Sequence, residues 1–160
     1  ALSANGNTHV NVGAVWGWRM ISPRWRGLWG GVMDANNLPL DYDTPLMNKA
    51  VIIMTDGENV YNSGTKTSYG YLSENRLGTT SSSVASDRLD DRLTTVCGAM
   101  KEQGILVYTV AFGDPGANIE SLLEDCASNP DYFFNSPTPA DLQAAFRAIG
   151  DSLSNLRISR

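Results

Sequence analysis

The stretch Val51-Ile52-Ile53-Met54-Thr55-Asp56-Gly57 decides the fold. Four consecutive apolar residues read as a short strand buried on both faces of a parallel sheet. The run stops abruptly at Thr55-Asp56-Gly57, where Asp and Gly favour a turn and Gly lets the backbone swing sharply. In open α/β sheets, ligands bind beyond the carboxyl ends of the strands, where strand order reverses. Asp56 is expected at such an end. Two readings of its carboxylate stand on chemistry alone. Joined by a hydroxyl such as that of Thr8, it suits a hard cation like Mg²⁺; or it closes an Asp-Gly turn by bonding local amides.

Working outward, the elements alternate. His9–Ile21 carry apolar groups at Val12, Val15, Trp16 and Met20, close to helical spacing. Thr8 is a natural N-cap for that helix and Pro23 stops it. Residues 24–48 read as a loop, rich in Gly, Asn and Pro and containing Trp25 and Trp29. After the strand, residues 58–85 form a long polar connection, which is either functional or a solvated, mobile insertion. A helix over Ser86–Gln103 follows, with Leu89, Leu93, Val96, Cys97 and Met100 on one face and Gly104 at the left-handed C-terminal position. Ile105–Phe112 read as a second strand, Asn118–Ala127 as a short helix and Asp131–Phe134 as a third strand. The last helix opens on Thr138, Pro139 and Asp141, and its stripe is Leu142, Ala145, Phe146, Ile149 and Leu153. Strands alternating with helices imply an α/β fold with a parallel sheet and right-handed crossovers.

Composition narrows the function. The chain has 160 residues, 42% hydrophobic and 18% charged, which suits one domain with its own core. A net charge of −5, with 12 scattered basic residues, argues against nucleic acid as a partner. No run of eighteen apolar residues exists to span a membrane. Ala1–Thr8 read as the interior of a longer protein, with any targeting or anchoring segment upstream.

Enzyme motifs fail one by one. There is no Gly-x-Ser-x-Gly elbow and no phosphate-binding G-x-x-x-x-G-K loop. The only histidine is His9, so any Ser-His or Cys-His mechanism depends on it alone. Asp41-Tyr42-Asp43-Thr44 superficially resembles the phosphatase Asp-x-Asp motif, but it follows no buried strand and Pro45 breaks the pattern. The chain reads as a non-enzyme.

The motifs taken in order carry a resemblance. Asn5-Gly6-Asn7-Thr8 opens a helix bearing Trp16-Gly17-Trp18-Arg19 and ending at Ile21-Ser22-Pro23. Lys49–Met54 leads into Thr55-Asp56-Gly57-Glu58-Asn59. Then come Cys97, Lys101, Gly104–Thr109, Cys126-Ala127-Ser128, Tyr132-Phe133-Phe134 and Leu156–Arg160. This succession resembles the C-terminal part of a von Willebrand factor A-type domain, and more narrowly the TadG-type proteins of bacterial tight-adherence (Flp) pilus assembly. The resemblance covers nearly the whole chain, with residues 24–48 and 58–85 as inserted loops.

The family implies a Rossmann-like sheet whose N-terminal strands are missing from this chain, and a metal-ion-dependent adhesion site built from three loops. Loop one supplies Asp-x-Ser-x-Ser, loop two a Thr and loop three an Asp. Thr8 matches loop two and Asp56 matches loop three; no Asp here is followed by the x-Ser-x-Ser pattern. The strand carrying loop one is expected upstream. Mg²⁺ dehydrates reluctantly and needs several oxygens, so Mg²⁺ or another divalent cation is expected in the intact parent and weakly or not at all on this chain. The first strand would be left as an unprotected apolar edge.

The family topology also sets the helices bearing Cys97 and Cys126 side by side. A bridge between them would close a loop of about 30 residues, worth on the order of 3–4 kcal/mol; the alternative is two buried core thiols. TadG-like proteins hold this region outside the cytoplasm, where disulfides persist. Trp25 and Trp29, flanked by Arg24 and Arg26, either form an exposed partner contact or pack over the first helix. The 58–85 loop leaves the same strand end as Asp56 and is a candidate lid. The leading function is thus a binding module of a cell-envelope pilus or secretion assembly. It would engage a protein partner at the carboxyl end of the sheet, through Gly57 and Glu58 among others. A metal-independent docking domain is the second reading and an N-terminally truncated α/β enzyme the third.

Overall fold

The structure, a computed structural model, describes residues 6–156. Arg157–Arg160 and Asn5, which contribute to the resemblance, lie outside the described residues. The fold is α/β. A three-stranded parallel sheet has the order β1 (Ala50–Thr55), β2 (Leu106–Phe112), β3 (Phe133–Ser136). Ala50 lies opposite Leu106, Thr55 opposite Ala111, and Thr109 opposite Phe133. Strand order follows chain order, so no reversal occurs within the described sheet, and β1 is an edge with β2 as its partner.

Helices α1 (Val10–Ile21), α3 (Ser82–Glu102) and α4 (Ala117–Cys126) cover one face. Val51, Ile53, Val107 and Ala111 meet Ala14, Leu93, Met100, Ile119 and Leu123 there in the main core. Helix α5 (Pro139–Leu156) covers the other face at β2 and β3, where Ile149 joins Tyr108 and Val110. Because successive strand side chains alternate between faces, Ile52 and Met54 point to the α5 side of β1. They remain 40% and 50% exposed, so β1 is not buried on both faces as its apolar run suggests. The run is uncovered because α5 packs over β2 and β3 instead.

Helix α1 departs from its apparent stripe. Its buried positions are Val10, Asn11 and Ala14, with Trp18 and Ile21 packed on the same core, while Trp16 and Met20 are about half exposed. Small residues set this orientation. A Cβ at Gly17 would sit 3.5 Å from Val51 Cγ1, so the helix approaches β1 on its Gly13-Ala14-Gly17 side and turns its bulk outward. The helix starts on His9 rather than Thr8, and the capping group comes from elsewhere: the Val10 N–H donates to Asn59 Oδ1 at 2.8 Å.

The two connecting loops are built rather than loose. Residues 24–48 follow on from a turn of 3₁₀ helix at Pro23–Trp25 and contain a short α2 (Gly31–Ala35). Buried Lys49 ties them down, donating through Nζ to Ile21 O at 2.5 Å and to Leu40 O, with the Tyr42 ring 4.7 Å away. In the second connection Tyr61, Leu72 and Leu77 bury themselves against Ala85 and Leu89 of α3 in a core of their own. This is why α3 begins at Ser82, four residues before the expected Ser86. Gly104, with φ +71°, takes the left-handed conformation expected after it. Strand β3 starts at Phe133, after a 3₁₀ turn at Pro130–Tyr132, two residues later than expected. Thr138 and Asp141 cap α5 reciprocally: Asp141 N–H donates to Thr138 Oγ1 (3.3 Å) and Thr138 Oγ1 donates to Asp141 Oδ2 (2.6 Å). Phe146, assigned to the buried stripe of α5, is 43% exposed; Ala145 and Ile149 carry the contact instead.

Candidate functional site

Strand β1 delivers Thr55 to the end of the sheet as a buried residue, and the chain turns there. Thr55 Oγ1 donates to Gly57 O at 2.8 Å and accepts from Gly57 N–H at 3.2 Å, so the threonine hydroxyl closes the turn. The Asp56 carboxylate is exposed beside it. Directly behind, Asn59 is 4% exposed and works in two directions. Its Oδ1 receives the Val10 N–H and its Nδ2 donates to Asp90 Oδ1 at 2.7 Å, joining the turn to the start of α1 and the middle of α3.

Thr8 stands just before α1, and its carbonyl accepts the Val60 N–H at 2.9 Å. Thr8 and Thr55 line the same hollow of about 310 Å³, which runs between the small-residue side of α1 and the free edge of β1. The structure therefore places the Thr8 segment next to the Thr55-Asp56-Gly57 turn. The donor set is thin. Among the described residues no group of three or more His, Cys, Asp or Glu side chains could hold a metal ion. One threonine and one carboxylate do not by themselves make a tight site for Mg²⁺.

His9 lies in the same hollow, with its ring 5.2 Å from Tyr61 edge-on and 5.6 Å from Tyr69. Burial holds its pKa below the ordinary value, against a smaller opposing effect of the backbone at Val60. Its Nδ1 lies 3.5 Å from Ser68 Oγ and its Nε2 is buried without a hydrogen-bond partner among the described residues. A base needs a third group to orient it for nucleophilic catalysis, and the ring here is packed between aromatic neighbours instead.

Glu58 lies at a different hollow. A Cβ at Gly116 would lie 3.1 Å from Glu58 Oε1, and Glu58 shares a small hollow of about 100 Å³ with Asn59, Asp87 and Asp90. Burial raises the Asp90 pKa, the Asn59 hydrogen bond opposes it, and the charges of Asp87, Glu58 and Asp91 add to the rise.

Trp25 and Trp29 belong to another region. They stack at 5.4 Å, Trp25 meets Trp16 edge-on at 5.6 Å, and Arg19 lies 4.8 Å from the Trp16 ring centre and 5.3 Å from that of Trp25. This cluster sits on the C-terminal half of α1, whereas Thr8 precedes its N-terminus. Gly57 and Glu58 do not form one patch with Trp25 and Trp29. The 58–81 segment does not close over Asp56 as a lid either; it packs beside the start of α1, with Asn62 N–H donating to Asn7 Oδ1 at 3.0 Å. The residues that sequence reasoning missed are Asn59 and Asp90. Asn59 had a signal, since Asn is a strong helix-capping residue, but its target is 49 positions away in the chain.

Cys97 and Cys126 are joined by a disulfide between α3 and α4, with Cα atoms 5.2 Å apart. No helix among the described residues is long and apolar enough to cross a membrane.

No protein-family model matches the sequence, and no curated protein matches it. Among solved structures the chain is similar to proximal thread matrix protein 1 from the mussel byssus. In one structure 98% of this chain aligns with 25% of that protein at 14% identity and a TM-score of 0.45. A second crystal form gives 72% and 20% coverage, 16% identity and a TM-score of 0.40. A third, described with a zinc-occupied MIDAS motif, gives 79% and 23% coverage, 14% identity and a TM-score of 0.41. The chain spans about a quarter of the protein it aligns with, and likeness this shallow does not extend to ligands or partners.

Proposed function

We propose that this chain is the C-terminal portion of a single von Willebrand factor A-like domain, acting as a non-enzymatic binding module in a bacterial pilus or secretion assembly of the TadG type. It engages a protein partner at the carboxyl end of its sheet. One observation carries the reading: Thr8 and Thr55, the first residue of the Thr55-Asp56-Gly57 turn, line the same hollow along β1. These are the segments that match the second and third loops of an adhesion-type metal site. The free edge of β1, with exposed Ile52 and Met54, is where a further strand would pair. A strand bearing Asp-x-Ser-x-Ser on that edge would add the oxygens the site lacks. The disulfide supports an extracytoplasmic location, because such bonds persist in oxidising compartments. Attachment to a membrane would come from upstream sequence.

The test is calorimetric titration with Mn²⁺ and Mg²⁺ of this chain and of the intact gene product. The chain alone is expected to show no micromolar binding. The intact product is expected to bind Mn²⁺ and to lose that binding on Asp56→Ala. Micromolar binding by this chain, or an intact product indifferent to Asp56→Ala, overturns the metal-assisted reading in favour of metal-independent docking.

A further inference from the structure

A groove of about 210 Å³ runs along the outer side of α1, where the helix meets the 58–81 segment. Val12 and Val15 lie along it, Trp16 and Tyr69 stand as aromatic walls, and Arg19 belongs to its lining. A second guanidinium, outside the lining itself, contacts the Tyr69 wall from α3: Arg92 lies 5.0 Å from the centre of the Tyr69 ring and donates to Tyr69 Oη at 3.3 Å. Tyr69 is itself fixed, accepting from Asn11 Nδ2 at 2.8 Å. Arg19 is held against the Trp16 and Trp25 rings. Both cations are thus positioned by aromatic faces, which leaves N–H donors of each free for another group.

The charge of this groove is unusual for the molecule. The protein carries a net charge of −5, yet neither Arg19 nor Arg92 pairs with a carboxylate among the described residues. The ion pairs present there are Arg26–Asp41 and Arg76–Glu74, outside the groove. One preorganised guanidinium in the lining and a second on the Tyr69 ring, beside an apolar floor, complement an anionic partner that also offers apolar surface. The size of the groove selects among such partners. It is smaller than the 300–1,000 Å³ or so typical of small-molecule sites and suits a single large side chain. Its concave form, between a helix and a folded segment, fits an inserted side chain better than a flat lipid surface.

We propose that this groove is a docking site for an acidic peptide segment of a partner protein. One large apolar side chain seats between Trp16 and Tyr69, and flanking carboxylates bond Arg19 and Arg92. The groove shares no lining residue with the Thr8–Thr55 hollow, although His9 of that hollow adjoins Ser68 and Tyr69, and the proposal does not depend on the metal reading. It also gives the half-exposed Trp16 a role beyond its contacts with Trp25 and Arg19.

The test uses fluorescence polarisation with a labelled pool of acidic octapeptides, each carrying a single Leu, Phe or Trp. A pool with Lys in place of Asp and Glu is the control. The acidic pool binds and the Lys pool does not. Arg19→Glu combined with Arg92→Glu weakens binding by about a hundredfold, roughly tenfold for each charge-assisted contact. Arg147→Glu, the same charge change on exposed α5, leaves it within about twofold. Circular dichroism melts confirm that the variants fold. Absence of binding by the acidic pool, or binding indifferent to Arg19 and Arg92, overturns the proposal. Phosphatidylglycerol vesicles are the third arm. Vesicles that bind with the same Arg dependence and displace the peptides would reassign the face to an anionic lipid surface.

Discussion

Replacing both bridged cysteines, Cys97→Ala with Cys126→Ala, isolates the contribution of the α3–α4 bridge. The bond spans 29 positions of sequence. In the chain-entropy description a loop of that length removes about 12 cal/mol/K from the unfolded ensemble, equivalent to ~3.6 kcal/mol at 25 °C. Both residues are buried, at 1% and 2% exposure, so the native state around them is well packed and the loss is expected in full or slightly more. For a chain of 160 residues the unfolding entropy near the midpoint is about 0.34 kcal/mol/K. The two figures together give a fall in Tm of ~11 °C. Differential scanning calorimetry at one pH, with and without a phosphine reductant, measures it. The reductant should carry the unmodified protein towards the variant and leave the variant where it is. A variant melting within about 3 °C of the parent would refute the reasoning, because it would mean that the unfolded chain is already confined without the bridge.

Two further perturbations probe the loops and the acidic hollow. Leu72→Ala should cost about 2–5 kcal/mol and abolish amide protection across residues 60–78, measured by hydrogen exchange, since Leu72 anchors the small core on α3; unchanged protection would show that the segment is held by its polar contacts alone. Asp90→Asn tests the raised pKa. A carboxyl whose folded pKa lies above its unfolded value contributes stability that is complete below the ordinary value of 3.8 and is lost as pH rises through the raised one. The variant should therefore melt above the parent at pH 7, with the gap closing as pH falls below 3.8. A variant that melts lower at pH 7 would assign the dominant role to the charged hydrogen bond from Asn59.

The α/β alternation was legible because it rests on local pattern. The apolar runs at 51–54 and 105–112 and the Gly104 stop each act within a few residues, and they appear where expected. The core face of α3 at Leu89, Leu93, Cys97 and Met100 is also where the sequence puts it; what failed was the inference about which side faces the core in α1 and β1, and at Phe146 of α5. Helix α1 was misjudged because Trp16 and Met20 follow helical spacing, yet small Gly17 and Ala14 make the contact with β1. A periodicity argument weights bulk, while close helix–strand packing selects its absence. The 58–81 segment looked polar because Tyr61, Leu72 and Leu77 are spread through it without a period, and their common destination is set by tertiary folding alone. At the site, the Thr55 turn was visible as a chain reversal. The link from Asn59 to Val10 and Asp90 was not, because it depends on pairs 49 and 31 positions apart.

Helix α3 has a consequence for how the molecule opens. Its 21 residues span about 31 Å, and its two halves serve different cores. Ala85 and Leu89 hold the 58–81 segment, while Leu93, Cys97 and Met100 sit in the main core beneath the disulfide. A boundary between two cooperative units thus falls inside one continuous helix, near Asp90 and its bond to Asn59. Loss of the small core would let the first three turns or so fray and stop at Leu93. Exchange rates along this single helix should then step down sharply from one end to the other. The start of α1, clamped through the same Asn59, would be released in the first of those two stages.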